Sequence, residues 1–210
     1  MINTIIFDLG GVLIDWNPEY LFRKLFQDEA AMKHFFEHIC TSDWNEEQDA
    51  GRPLDEATSL LVEKFPEHEA YIRAYYGRWE EMLGGAIAGT VEIFRQLKER
   101  NHLRFYALTN WSAETFPYAI NRFEFLQWFD GIVVSGEEKN RKPHPDFYRL
   151  MLDRYALNPR EALFIDDNLR NVEAARQMGI QTIHYISPEQ LRHSLVEKGI
   201  LPPESGSGMD

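Results

Sequence analysis

Cysteine is nearly absent: Cys40 is the single one among 210 residues, so no disulfide can close within the chain. A lone thiol beside Ile39 reads as a small buried hydrophobe, and a reducing cytoplasm is the compartment that suits it. Positive charge is also scarce. Lys and Arg number 22 against 34 Asp and Glu, which leaves a net charge of −12. Such a surface repels phosphate backbones and anionic bilayers, so neither nucleic acid nor membrane is an expected partner. No apolar run reaches the ~20 residues needed to span a bilayer, and the first residues lack the charged and apolar regions of an export signal. The histidines show no metal-ligand spacing, and there are no internal repeats.

What is present is an ordinary globular composition, 44% hydrophobic and 27% charged, with a length suited to one α/β domain carrying an insertion. Thr4 to Phe7 is a short β-branched and aromatic run ending in Asp8 and broken by Gly10-Gly11, which predicts a strand buried on both faces. Asp15-Trp16-Asn17-Pro18 then reads as a turn, and from there to about Leu83 the apolar spacing is helical only. Gly84-Gly85-Ala86 reads as the exit hinge of that block. Beyond it strands and helices alternate. The strands are expected at Arg104 to Leu108, Gly131 to Ser135, Ala162 to Ile165 and Gln181 to Ile186. Ser187-Pro188 opens the last helix. This pattern predicts a doubly wound parallel sheet with a helical insertion after the first strand. The expected division is a core of residues 1–15 and 85–200, a helical subdomain over 16–84, and a disordered tail over 201–210.

Four of the expected strands end in polar residues: Asp8, Thr109-Asn110, Lys142 just past the third, and Asp166-Asp167. Parallel strands present their carboxyl ends at one edge, so these groups meet in one crevice although they are remote in sequence. Three carboxylates alone repel one another. A hard divalent cation relieves that repulsion, and an all-oxygen donor set selects Mg²⁺. Lys142 and Thr109 add a point charge and a donor suited to an anionic oxygen group. Together these predict phosphoryl transfer, with Asp8 as nucleophile forming an aspartyl-phosphate.

The stretches FDLGGVL, ALTNWS, RKPHPDFY and FIDDN resemble, in order and spacing, the four motifs of the haloacid dehalogenase superfamily, over about Ile5 to Ile186. The helical block resembles that superfamily's cap, and the chain looks most like its phosphatases of sugar phosphates and related metabolites, such as a hexose 1-phosphate. The resemblance implies that Asp8 attacks phosphorus and also binds Mg²⁺, with Gly10 lending its backbone carbonyl to the metal. It implies that Leu9 and Asn110 offer backbone amides to the phosphoryl group, which Thr109 and Lys142 also hold. Asp167 ligates the metal, and Asp166 ligates it or a metal-bound water.

One position departs from the superfamily pattern. Its phosphatases carry a second aspartate two residues after the nucleophile as general acid/base, and here that position is Gly10. General acid–base help is typically worth roughly 10²–10⁴ in rate. Asp15, Asp43, Glu46, Glu47 and Asp49 are candidates to replace it, and the sequence favours none. Trp111 next to Asn110 is a candidate pocket wall. Trp44 and Arg52 are candidate substrate contacts, each weighed against a place in the core or on the surface. Two other functions compete: a 2-haloacid dehalogenase, for which an acidic pair at Asp166-Asp167 is a burden, and a binding or regulatory protein that has lost turnover. Nothing in the sequence fixes the oligomeric state; a monomer is the working expectation.

Overall fold

The computed structural model describes residues 1–203. Five strands form one parallel sheet: β1 (Thr4–Phe7), β4 (Arg104–Thr109), β5 (Gly131–Val134), β6 (Ala162–Asp166) and β7 (Gln181–His184), in the order β5-β4-β1-β6-β7. The remaining two strands, β2 (Ile14–Trp16) and β3 (Leu83–Ala86), pair antiparallel as a separate ribbon. The first strand is central because its residues are apolar on both sides. Ile5 and Phe7 enter one packed layer, and Ile6 enters the other with Tyr106, Phe164 and Tyr148. Side-chain alternation along a strand sends successive residues to opposite faces, and both faces here are covered.

The registers set the site. Phe7 stands opposite Ala107 on β4 and opposite Ile165 on β6, so the next residues, Asp8 and Asp166, emerge at the same level of the sheet edge. The Asp8 amide continues the ladder by donating to the Ile165 carbonyl at 2.8 Å. The chain then turns at once. The amides of Leu13 and Ile14 both donate to the Leu9 carbonyl. Gly11 sits at φ +73, and a Cβ there would strike the Asp167 carboxylate. Only glycine combines that backbone conformation with that close approach.

Between β2 and β3 lie helices Glu19–Phe22, Glu29–His38, Ser42–Asp49, Leu54–Lys64 and Glu69–Gly77. The expected exit hinge is instead part of the ribbon: Ile14 pairs with Ala86 and Asp15 with Gly85. Entry to and exit from the helical block are therefore tied side by side. Its interior is aromatic. The Phe22 ring lies 5.1 Å from those of Phe35 and Phe36, and Phe26 stacks on Tyr71 at 4.3 Å. These rings belong to the same apolar cluster as Ile5, Phe7 and Phe94 of the sheet layer.

At the other end, Ser187 caps the Pro188–Glu197 helix by accepting from the Gln190 amide. Leu201 departs from the expected disordered tail: it is buried, and its amide donates to the Leu195 carbonyl at 3.2 Å. An apolar residue that can reach the core joins it, whatever the composition of its neighbours. Residues 204–210 of that tail lie outside the described residues. Among the described residues, no helix is long and apolar enough to cross a membrane.

Candidate active site

Asp8, Asp166 and Asp167 each bring one carboxylate oxygen within 4.8 Å of the others. Lys142 reaches the same point from the loop after β5. Its ammonium lies 2.9 Å from Asp8 Oδ2 and 2.7 Å from Asp166 Oδ2, and its side chain is fully buried. Burial alone would depress the lysine, but Asp166 and Asp8 outweigh it and raise its pKa above the ordinary value. Burial, aided by the charges of Asp166 and Asp167, holds Asp8 well above the usual carboxylate range against the pull of Lys142. A buried charge is tolerable only when paired and hydrogen-bonded.

Asp166 is the most heavily engaged of the three. Its Oδ1 accepts from the Asn168 amide at 2.7 Å, and Asn171 Nδ2 donates to both carboxylate oxygens at 3.1 Å. Asn171 is therefore part of the charged cluster. It stands on the first turn of the Leu169–Gln177 helix, while Asn168 caps that helix through the Arg170 amide. Asp167 is exposed, and its carbonyl bonds to His184 Nε2.

Thr109, at the end of β4, is fully buried, and its Oγ1 is the one buried side-chain polar atom without a partner among the described residues. Such an atom usually marks an absent ligand or water. Asn110 does more than offer its amide. Its side chain accepts from the Lys142 amide at 2.9 Å and donates to the Lys142 carbonyl at 3.0 Å, bracing the lysine's backbone from both sides. The Leu9 amide donates to Asp8 Oδ1 at 2.7 Å, so it points where that carboxylate points.

A cleft of about 440 Å³ opens over these groups, lined by Asp8, Asn110 and Asp167 from the sheet edge and by Asn45, Asp49 and Tyr75 from the helical block. A smaller chamber adjoins it, walled by Trp16, Tyr76, Trp79 and Trp111, with Gly10 and Asp49 also on its lining. Trp111 lies on the lining of this chamber, its indole N–H donating to Thr115 Oγ1 and its ring 5.6 Å from that of Trp79. Trp44 and Arg52 line neither cavity. Trp44 packs against Tyr75 and Tyr76, with ring centroids 5.2 and 5.4 Å away. Arg52 is held by Gln48 Oε1 at 2.7 Å and the Trp44 carbonyl at 3.2 Å.

The structure separates the five acids proposed to replace the missing one. Asp15 accepts from the Tyr20 hydroxyl at 2.7 Å, and Asp43 and Glu47 are exposed. Glu46 is clasped by Arg141 at 2.7 Å and Arg170 at 2.9 Å. Asp49 is the one that lines both cavities.

A family model described as haloacid dehalogenase-like hydrolase matches residues 2–179. Among curated proteins, sesquiterpene phosphatase astK of Aspergillus oryzae is 28% identical over 87% of this chain and 89% of its own. Pyrophosphatase PpaX of Bacillus velezensis is 27% identical over 86% and 82%, and a phosphorylated carbohydrates phosphatase of Thermotoga maritima is 26% identical over 87% and 84%. Drimenol cyclase drtB of Aspergillus calidoustus is 24% identical over 98% of this chain, which spans only 38% of that relative. Among solved structures, a haloacid dehalogenase family enzyme of Bacteroides thetaiotaomicron in complex with magnesium superposes with a TM-score of 0.71, at 22% identity over 92% of this chain and 98% of that one. With the sheet order, the strand-end cluster and this match in agreement, the chain belongs to the haloacid dehalogenase-like hydrolases.

Proposed function

We propose that the protein is a Mg²⁺-dependent phosphatase of a small phosphorylated metabolite that works through an aspartyl-phosphate on Asp8. One observation carries this reading: the carboxylate trio and the buried Lys142 ammonium meet at one strand edge, where β4 ends in Thr109 with its hydroxyl unpartnered among the described residues. The donor set fits a hard cation, being three carboxylates with no sulfur or imidazole. Asp8, Asp167 and the Gly10 carbonyl would hold Mg²⁺, with Asp166 binding it directly or through water. Bound there, the ion supplies positive charge that offsets the negative charge of the transferring phosphoryl group.

The chain's own residues do the rest. Asp8 attacks phosphorus in line and the bond to the leaving oxygen breaks. Lys142, the Thr109 hydroxyl and the amides of Leu9 and Asn110 neutralise the equatorial oxygens. Asp166 holds Lys142 at its post. Water then attacks phosphorus, phosphate leaves, and the Asp8 carboxylate returns.

Phosphorylated sugars are the first substrates to test. The Thermotoga maritima relative is named for phosphorylated carbohydrates, and an aromatic lining of Trp16, Tyr76, Trp79 and Trp111 suits the C–H groups of a sugar as well as a hydrocarbon skeleton. The Aspergillus oryzae relative, named as a sesquiterpene phosphatase, makes prenyl phosphates the second panel. Phosphate release from both panels should require Mg²⁺ and be lost after chelation. Asp8→Asn should cut turnover by at least about 10⁴-fold, as loss of a nucleophile does, with an unchanged melting profile. Metal-independent halide release from 2-haloacids would assign the protein to the dehalogenases instead.

A further inference from the structure

The nucleophile strand carries no proton donor. Gly10 occupies the position two residues past Asp8 and has no side chain, yet an alcohol cannot leave phosphorus readily as an alkoxide. Asp49 stands across the opening from it. This residue ends the Ser42–Asp49 helix of the inserted block and shares the large cleft with Asp8 and the aromatic chamber with Gly10. It therefore lies at the junction between the phosphoryl end of the site and the space open to a leaving group.

Its carboxyl is held there by a directed chain of hydrogen bonds. Arg52 Nε donates to Gln48 Oε1 at 2.7 Å, and Gln48 Nε2 donates to the Tyr76 hydroxyl at 3.0 Å. The Tyr76 hydroxyl donates to Asn45 Oδ1 at 2.9 Å, and Asn45 Nδ2 donates to Asp49 Oδ2 at 3.2 Å. Gln48, at the middle of the chain, is fully buried. The backbone is fixed as well, because the Ser135 hydroxyl at the end of β5 donates to the Asp49 carbonyl and accepts from the Trp111 amide. A part-buried network of this length, anchored on the buried Gln48, orients its terminal group. The sheet and the block thus hold at the cleft a carboxyl that is hydrogen-bonded by Asn45 but enters no salt bridge among the described residues.

We propose that Asp49 is the general acid and base of the reaction, standing in for the side chain that Gly10 lacks. As Asp8 forms its bond to phosphorus and the bond to the leaving oxygen breaks, the electron pair stays on that oxygen and Asp49 gives it a proton. In the second half, Asp49 as carboxylate takes a proton from the water that attacks phosphorus. The bond to Asp8 breaks, phosphate departs and both carboxyl groups are restored. The proposal rests on the phosphatase reading above.

The electrostatics agree with the geometry. Burial, and next the charge of Glu46 on the same helix, push Asp49 up to about 7, against Arg141, the Ser112 amide and Lys142. A carboxyl poised near neutrality can donate and then accept at working pH. The Glu46 charge is itself shared between Arg141 and Arg170.

The decisive measurement is rapid-mix kinetics of the wild type and Asp49→Asn with Mg²⁺. One substrate should be p-nitrophenyl phosphate, whose leaving group needs no proton; the other should be a sugar phosphate that the wild type turns over. Asn keeps the size and the Asn45 bond, and a melting curve checks the fold. In the variant the first-turnover rate on the sugar phosphate should fall roughly 10²–10⁴-fold. The first-turnover rate on p-nitrophenyl phosphate should stay within a few-fold, followed by a slow steady state as phosphoenzyme accumulates. The wild-type first-turnover rate on the sugar phosphate should decline as pH rises through about 7, where Asp49 loses its proton, and that limb should vanish in the variant. Equal losses on both substrates, or no loss on either, would overturn the role of Asp49 alone. A wild type that releases phosphate from neither substrate would overturn the phosphatase reading beneath it.

Discussion

The sheet edge and the helical block contribute to the same cleft in different ways. At the sheet edge the charges of Asp8, Lys142 and Asp166 are each answered within 3.1 Å. Asp8 has Lys142, Lys142 has Asp166, and Asp166 has Asn168 and Asn171. Strands β1 and β6, which end at Asp8 and Asp166, are paired on both sides and buried on both faces. On the block side the functional carboxyl stands at the end of one hydrogen-bond chain. A few polar ties join the block to the core, notably Glu46 to Arg141 and Arg170, Ser135 to the Asp49 carbonyl, and Glu114 to the Leu54 amide. In the proposed reaction the sheet edge meets the phosphoryl group and the block meets the rest of the substrate, and the two are joined by a common apolar cluster as well as by these ties.

The largest effect should follow from removing the charge that organises the sheet edge. Lys142→Met keeps the length and apolar stem but leaves Asp8 and Asp166 facing each other in the interior. Breaking a buried pair in this way costs about 3–5 kcal/mol, which urea denaturation would register. Turnover should fall by roughly 10²–10³-fold, as it does when one donor to a transition-state charge is lost. A variant as stable as the wild type would mean that the two carboxylates do not depend on the lysine, and the contrast drawn between the two regions would fail at its stronger side.

That same contrast explains what could be read from the chain beforehand. Asp8, Thr109 and Asp166 stand at the end of short apolar runs, and parallel topology brings the ends of such runs together; Lys142 comes after the Ser135–Glu138 helix and is marked in the sequence by the RKPHPDFY stretch instead. Asn171 was harder: its partner depends on how the first turn of the Leu169–Gln177 helix faces β6. Asp49 could not be separated from its rivals at all. The segment SDWNEEQD is polar nearly all round, so helical period does not reveal which face meets the cleft. That choice is made by packing of Trp44, Tyr75 and Tyr76 and by the burial of Gln48. Arg52 shows the same limit, since its guanidinium is directed to Gln48 and the Trp44 carbonyl by packing that periodicity does not reveal. Leu201 is buried although its neighbours have the composition of a loop, because its apolar side chain reaches the core.

A smaller effect should come from moving the proton chemistry from the block to the sheet edge. An added Cβ at Gly10 meets nothing within 4 Å, and its backbone lies outside the left-handed region. Gly10→Asp should therefore fold normally, with stability within about 0.5 kcal/mol of the wild type. Combined with Asp49→Asn, it should restore turnover on a sugar phosphate by roughly tenfold to a hundredfold, a part of what general acid–base help provides. Recovery of kcat with an unchanged melting temperature would show that the two positions are interchangeable sources of a proton. A folded double variant with no recovery would show that the sheet edge cannot host the acid.

The smallest effect should come from loosening the tie between the two halves. Glu46 lies on the block, Arg141 follows β5 and Arg170 opens the helix after β6, so the clasp spans both sides of the cleft. The Arg141 partner is mostly covered, with 17% of its side chain exposed, whereas Arg170 is 62% exposed. Solvent screening confines such pairs to about 1 kcal/mol or less, and most of that belongs to Arg141. Glu46→Gln keeps the shape and removes the charge. It should lower stability by about 0.5–1 kcal/mol at low salt, and by less at 1 M, where screening falls to about 3 Å. It should also withdraw the neighbouring charge that helps raise Asp49, so the alkaline limb on a sugar phosphate should move to lower pH. A limb that stays in place while stability falls would mean that the clasp only fastens the block, and that burial alone keeps the Asp49 proton.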